Sequence, residues 1–189
     1  MNQNYDLIQY YEKALAYVYM HYRKEIEWQE NRIFENIEAS EFYWEYVWVV
    51  LCSGFRVSVA RKIFDKLFNT PNDFSLVKHP LKRKAIEMGF KMYQIWYDEL
   101  HLKKTDNEKL EYLETLPHIG PITKYHLAKN MGIDVAKPDV HLVRIAQRFG
   151  WSNVQSMCEY IGKIKQEKIC VVDIVIWRFC ADGEPNVST

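Results

Sequence analysis

The sequence predicts an all-α protein, and three observations support this fold class. Apolar residues recur at three- and four-residue spacings along most of the chain, as on one face of an α-helix. Seven glycines and six prolines in 189 residues are too few for the many turns of an all-β fold. The apolar fraction of 48% and the charged fraction of 26% are typical of a folded globular chain. We therefore expect residues 1–189 to form one helical domain.

The N-terminal third of the chain reads as three helices. Tyr5 to about Glu30 carries an apolar stripe at helical spacing. Ser40 is of a type that caps helices, and the apolar run Tyr43 to Cys52 follows it. Val57 to Phe68 has one apolar and one basic side, and the turn residues Thr70 to Asp73 follow. Each segment thus has the pattern of a helix packed on a core.

Prolines and glycines mark the ends of the remaining predicted helices. The stretch from Phe74 to Leu102 is predicted as helix in pieces, with breaks near Pro80 and Gly89. Pro121 and Pro138 each open a helix, because a proline in the first turn loses no hydrogen bond. The later segments are 106–116, 121–131, 138–150, 152–161 (capped by Ser152) and 165–180. We expect two lobes, roughly 1–104 and 105–189, with a cleft between them and a frayed tail at 182–189.

The sequence shows no membrane, metal or cofactor signal. Its longest apolar run, Val47 to Cys52, is far shorter than the roughly 20 residues of a membrane span, and the first residues lack a signal-peptide pattern. The four cysteines are scattered without metal or cluster spacing, so we expect reduced thiols, no metal and no cofactor. A cytoplasmic or nucleoid-associated protein is expected, or a nuclear one in a eukaryote.

The charge is segregated along the chain although its total is zero. Residues 1–50 carry four Lys/Arg and nine Asp/Glu, whereas residues 54–104 carry eleven and five. Residues 117–148 carry five Lys/Arg and two Asp/Glu. A neutral chain with this distribution can present a basic face to a polyanion.

The stretch from residue 113 to residue 150 is the most informative part of the sequence. It reads LETLPHIGPITKYHLAKNMGIDVAKPDVHLVRIAQRFG. Two short predicted helices flank the turn Pro117 to Gly120, and we expect Gly120 to adopt a conformation that a residue with a Cβ atom resists. The second helix then presents its first-turn N–H groups, with their partial positive charge, beyond the turn. This arrangement predicts a phosphate site without sequence preference, to which Lys124 and Lys129 add charge.

An aspartate opens the next predicted helix. Pro138 holds the chain at a helix start, so we expect Asp139 in the first helical turn. An aspartate in this position is often only a cap, and that interpretation remains open. Beside a nucleotide held by the hairpin, its carboxylate can instead stabilise a developing oxocarbenium ion or activate a water that attacks the sugar.

The pattern L-P-x-I-G-x-x-T, followed by an aspartate and by a histidine two residues later, resembles the helix-hairpin-helix DNA glycosylase superfamily. That superfamily includes the endonuclease III, adenine glycosylase and 8-oxoguanine glycosylase families. Its members bind DNA through the hairpin, flip a damaged or mispaired base and cut its N-glycosidic bond. The resemblance implies that Asp139 is catalytic and that His141 and Arg144 support it. It also implies hairpin contacts to double-stranded DNA from His118, Ile119, Gly120, Ile122, Thr123 and Lys124.

Three departures from the family pattern refine this expectation. His118 stands where the family has its first turn glycine, and it can crowd a phosphate or donate a hydrogen bond to it. Ile122 stands where bifunctional members carry a catalytic lysine, and Lys124 lies about 200° further around the helix. The four-cysteine iron–sulfur loop of endonuclease III-like members is missing. The resemblance therefore implies a monofunctional glycosylase that uses water as its nucleophile, with doubtful lyase activity.

Two other functions remain open on the sequence. The chain is compatible with a non-catalytic DNA-binding module that keeps only the hairpin. It is also compatible with a transferase that modifies a flipped base, because base flipping does not dictate the chemistry. For His141, a structural role that ties the helix start is favoured over a proton shuttle. Arg144 and Arg148 are candidates for a solvated helix face as well as for DNA contact. We expect a monomer.

Overall fold

In a computed structural model, residues 3–185 are described, and within that range all regular secondary structure is helical, with no β-strand. The all-α prediction is therefore confirmed. The helices are α1 Gln3–Asn31, α2 Ala39–Cys52, α3 Val57–Asn69, α4 Pro80–His101, α5 Asp106–Glu114, α6 Thr123–Asn130, α7 Val140–Arg148, α8 Val154–Lys165 and α9 Ile169–Ala181. Two short 3₁₀ turns, Phe34–Asn36 and Phe74–Leu76, lie in the connections. No helix described between residues 3 and 185 is long and apolar enough to cross a membrane.

The helices form two compact units that do not follow the expected division near residue 104. The first unit comprises the described residues up to Arg32 and from Gly132 onward, and the second comprises Ile33 to Met131. Residue 104 falls inside the second unit, and α1 belongs with the C-terminal helices. The reason is packing: the apolar stripe of α1 is buried against α9, a long-range pairing that chain order does not reveal.

The first unit consists of α1, α7, α8 and α9. Its core is one cluster of buried side chains, to which α9 contributes Cys170, Val171, Val172, Val175, Ile176, Phe179 and Cys180. Because α9 is apolar on most of its surface, it lies at the centre and packs against the other three helices. At its edge, the Arg178 guanidinium donates two hydrogen bonds to the Glu25 carboxylate, at 2.8 and 2.6 Å.

The second unit is built around α2, which packs against α3, α4 and α6. The predicted break at Gly89 is wrong, because α4 runs without interruption from Pro80 to His101. Gly89 instead allows close packing. A Cβ atom there would lie 2.7 Å from Cε1 of the buried Tyr46 ring, which is closer than van der Waals contact permits.

Several helix ends differ from the predicted ones by one to four residues. Glu38, not Ser40, is the N-terminal cap residue of α2, and it makes no side-chain cap bond. Asn153, not Ser152, caps α8, and its side chain accepts a hydrogen bond from the Ser156 amide at 3.1 Å. At α8 the neighbouring residues Ser152 and Asn153 are both of capping type, and only one of them can occupy the cap position.

Two residues after α9, Asp182 and Glu184, make hydrogen bonds within the first unit. The carboxylate of Asp182 accepts hydrogen bonds from the Tyr17 and Tyr22 hydroxyls, at 2.9 and 2.7 Å. The Glu184 amide donates to the Phe179 carbonyl at 2.9 Å. These bonds give Asp182 and Glu184 defined partners, whereas residues 186–189 lie outside the described part of the chain, so the frayed tail stays a prediction.

Candidate active site

The predicted hairpin is present between α5 and α6 and is closed mainly by its own atoms. The Ile119 amide donates to the Leu116 carbonyl at 3.1 Å, and the Lys124 amide donates to the Gly120 carbonyl at 3.0 Å. The Gly120 amide donates to the Thr123 hydroxyl at 2.7 Å. The turn therefore ends in the first turn of α6, and Thr123 holds the two together through its side chain.

The residue with the unusual backbone conformation is His118, not Gly120. His118 has φ of +66°, in the left-handed region, whereas Gly120 is outside it. A Cβ atom on Gly120 would meet no atom closer than Thr123 Oγ1, at 3.9 Å. The expectation that Gly120 needs its missing side chain is thus wrong, and the chain instead places a histidine at the strained position.

His118 lies in a cationic environment. Its ring centroid is 6.2 Å from that of His79, the N-terminal cap of α4. Burial, with further contributions from the charges of Lys82 and His79, lowers the pKa of His118 below its ordinary value. The ammonium group of Lys82 is itself buried and donates to the carbonyls of Val50, at 2.8 Å, and Leu51, at 3.0 Å. These groups favour the neutral imidazole at neutral pH.

The other predicted DNA-binding side chains of the hairpin are in different surroundings. The Ile119 side chain is buried in the unit and its amide is used by Leu116, and Lys129 is buried as well. Ile122 is 42% exposed at the start of α6. The Lys124 ammonium forms an ion pair with Glu114 on α5, so its charge is already partly compensated. Pro121 precedes α6 by two residues rather than opening it.

Asp139 is the N-terminal cap of α7 and lies before the first helical turn that was predicted to contain it. Its Oδ1 accepts hydrogen bonds from the His141 amide at 3.0 Å and the Leu142 amide at 3.2 Å. Its Oδ2 lies 3.8 Å from the Lys137 ammonium, and the side chain is 12% exposed. One oxygen thus caps the helix while the other remains oriented toward a cation near the surface. The capping role and a chemical role are therefore compatible.

The extended chain before Asp139 is held by hydrogen bonds to α8 and α9 of the first unit. The Ala136 amide donates to Gln155 Oε1 at 2.8 Å, and the Lys137 amide donates to Asp173 Oδ2 at 2.6 Å. Asp134 Oδ1 accepts from the Cys170 amide at 2.9 Å, at the start of α9. Three bonds to α8 and α9 therefore fix a segment that has no regular secondary structure of its own.

The remaining predicted residues lie on α7. Nδ1 of His141 is buried and has no hydrogen-bond partner among the residues that the structure describes. Arg144 and Arg148 both bind the carboxylate of Glu184, at 3.0 and 3.1 Å. Both guanidinium groups are more than half exposed, so these ion pairs stabilise the unit only weakly.

The hairpin is part of the second unit and Asp139 is part of the first. The structure brings the hairpin residues together in one turn, and it brings Asp139 together with Lys137 and His141. In the described range of 3–185, no three His, Cys, Asp or Glu side chains are grouped so that they could hold a metal ion.

Two solved structures are similar to this chain over almost its whole length. The 8-oxoguanine DNA glycosylase of Thermotoga maritima has a TM-score of 0.73 at 15% identity, covering 95% of this chain and 98% of that chain. The 8-oxoguanine DNA glycosylase of Methanocaldococcus jannaschii has a TM-score of 0.73 at 18% identity, covering 100% of both chains. The chain has the fold of these helical DNA glycosylases. No protein-family model and no curated protein sequence matches it.

The similarity confirms the predicted helical fold, but the sequence did not reveal every residue around Asp139. No sequence pattern pointed to Lys137 or Gln155, because their roles depend on contacts between residues that are distant in the sequence. One pattern did point to Asp173, because an aspartate in the apolar helix α9 requires a partner. The structure supplies that partner in the Lys137 amide.

Proposed function

We propose that this protein is a DNA N-glycosylase that flips a damaged, mispaired or modified base and hydrolyses its N-glycosidic bond. The observation that carries the proposal is Asp139, with one carboxylate oxygen bound to the start of α7 and the other not used by the cap. The shared fold with two 8-oxoguanine DNA glycosylases supports the same reaction class.

In this proposal the hairpin binds the DNA backbone. The Gly120 amide is engaged by Thr123, so the amides of Ile122 and Thr123 at the start of α6 are the proposed donors to a phosphate. Such contacts position the duplex without reading its sequence. His118 adds a neutral imidazole that becomes a stronger phosphate donor when it is protonated.

Asp139 supplies the chemistry. Flipping the nucleotide costs a few kcal/mol, least for a damaged or mispaired base. As the bond between base and deoxyribose breaks, positive charge develops on the sugar, and the carboxylate of Asp139 stabilises it. The departing nucleobase takes the bonding electron pair and gains a proton from solvent. Water then adds to the anomeric carbon and loses a proton to an acceptor, for which the Asp139 carboxylate is the candidate. The Lys137 ammonium lies 3.8 Å from Oδ2, the carboxylate oxygen that does not cap the helix.

The protein is proposed to be monofunctional. Ile122 presents an alkyl group where an amine nucleophile would be needed for a covalent intermediate. The product is then an abasic site in an intact strand.

A panel of duplex oligonucleotides, each with one lesion, tests this function. It includes 8-oxoguanine because both similar structures are glycosylases for that base. The expected result is loss of one base by mass, with strand breaks only after alkali and no adduct trapped by borohydride. A heavier base would indicate a transferase. Salt-dependent duplex binding with unchanged DNA would indicate a non-catalytic binding module.

A further inference from the structure

Asp173 is a buried carboxylate with an unusual position. It lies in the centre of α9, among apolar residues, and is 2% exposed. A carboxylate in such surroundings is costly unless strong hydrogen bonds compensate for the lost water. Its Oδ2 accepts from the Lys137 amide at 2.6 Å, which is a short, charge-assisted bond.

The bonded amide is directly linked to the position of Asp139. The Lys137 carbonyl accepts a hydrogen bond from the Asp139 amide at 2.8 Å, which closes a tight turn around Pro138. The Lys137 peptide groups are therefore held on one side by Asp173 and on the other by Asp139. Pro138 has a fixed φ, so the turn has little freedom of its own. A shift of the Lys137 amide is transmitted to the carboxylate two residues later.

We propose that Asp173 is a positioning residue for Asp139 in the base excision reaction, which rests on the proposed function. It does not touch the substrate. It fixes the backbone of residues 137–139 so that the Asp139 carboxylate has one orientation. Catalysis depends on such placement, because a displacement of about 1 Å can cost on the order of 100-fold in rate.

Two variants of Asp173 distinguish the effect of its hydrogen bond to the Lys137 amide from the effect of its side-chain volume. Asp173→Asn keeps an oxygen that can accept from the Lys137 amide but loses the charge, whereas Asp173→Ala removes the acceptor. We expect the single-turnover rate of base release at saturating protein to fall about 100-fold in Asp173→Ala and about 5-fold in Asp173→Asn. The dissociation constant for the duplex stays within about twofold of wild type, because the hairpin is unchanged.

The matched control is Glu25→Gln. It weakens the bidentate bond of Arg178, also on α9, without touching the segment before Asp139. The probe is the lesion duplex from which the wild-type protein releases its base fastest. Hydrogen exchange of the His141 and Leu142 amides gives a second readout that needs no activity, because Asp139 Oδ1 caps them. Their exchange is expected to accelerate in Asp173→Ala and to stay unchanged in Glu25→Gln.

The outcomes discriminate between the two claims. Slower base release with faster exchange at these two amides, and recovery by Asp173→Asn, supports the positioning role. A rate in Asp173→Ala equal to wild type, or lowered only as far as in Glu25→Gln, overturns it. If the wild-type protein releases no base from any duplex, the proposed function is refuted, and the positioning role with it. The reaction of the wild-type protein alone reveals this outcome.

Discussion

The hairpin and the segment that carries Asp139 are stabilised in different ways. The hairpin closes through bonds among residues 116–124, with one longer-range bond from the Tyr46 hydroxyl to the Pro117 carbonyl at 2.7 Å. The segment before Asp139 depends on Asp134, Gln155 and Asp173, and its partners lie on α8 and α9. A phosphate-binding turn can thus be encoded by a short stretch of sequence, whereas the orientation of the Asp139 carboxylate depends on several side chains that are distant in the sequence.

Gln155→Ala gives the largest stability effect that follows from this comparison. It leaves the buried Ala136 amide without its acceptor, and an unsatisfied buried donor costs about 1–3 kcal/mol. The free energy of unfolding, from urea denaturation, should fall by that amount. Glu159→Ala is the control, because it removes only the partner of the Gln155 side-chain N–H. Equal losses in the two variants would show that the Ala136 bond is unimportant.

Thr123→Val is expected to have a smaller effect, because the hairpin is half-exposed and water can replace the lost hydroxyl. The variant removes the acceptor of the Gly120 amide. The free energy of unfolding should fall by about 0.5–1 kcal/mol. The affinity for duplex DNA should also fall measurably, because the turn that presents the phosphate donors becomes less ordered. Thr123→Ser keeps the hydroxyl and should behave like wild type. A stability loss in Thr123→Val greater than in Gln155→Ala would contradict the contrast between the two regions.

The smallest expected effect at neutral pH is that of His118→Gly. Glycine relieves the positive φ but adds freedom to the unfolded chain, so at pH 7.5 stability should change by less than about 0.5 kcal/mol. The effect of pH is the informative part. Because burial and nearby cations lower the pKa of His118 in the folded state, the unfolded chain binds the proton first as the pH falls below about 6.5.

The wild-type protein should therefore lose stability, relative to His118→Gly, as the pH falls from about 6.5 to the lower folded-state pKa. Below that value the difference should stay constant. Urea midpoints at several pH values measure this difference, and His118→Asn, which tolerates positive φ and does not titrate, should match the glycine variant. A difference of the opposite sign would mean that the imidazolium is stabilised in the fold.

Patterns within short stretches predicted much of this structure. The amphipathic stripe of α1, the hairpin and a helix beginning next to Asp139 were predicted because each depends on neighbouring residues. The division of the chain into its two compact units was not predicted, because the packing of α1 on α9 joins residues more than a hundred positions apart. Gly89 was misinterpreted for a related reason. Its role is contact with Tyr46 from another helix, which its own neighbours do not indicate.

The candidate site shows the same division between local and remote information. The choice of Asp139 came from a local motif, and the structure adds that one of its oxygens caps α7. The partner of Asp173 was not predictable, because a bond from α9 to an extended segment is set by the fold alone. The left-handed backbone at His118 reversed the expectation for Gly120, since which residue of a turn takes positive φ depends on the closing bonds.

The most direct test of the central claim is the rate of base release by Asp139→Asn under single-turnover conditions, measured beside its affinity for the same duplex. Asparagine caps a helix as well as aspartate does, so the fold and the affinity should be retained. Without the negative charge, the rate should fall by about 100- to 1,000-fold. Release at the wild-type rate by a folded Asp139→Asn variant would show that this carboxylate does not carry the reaction.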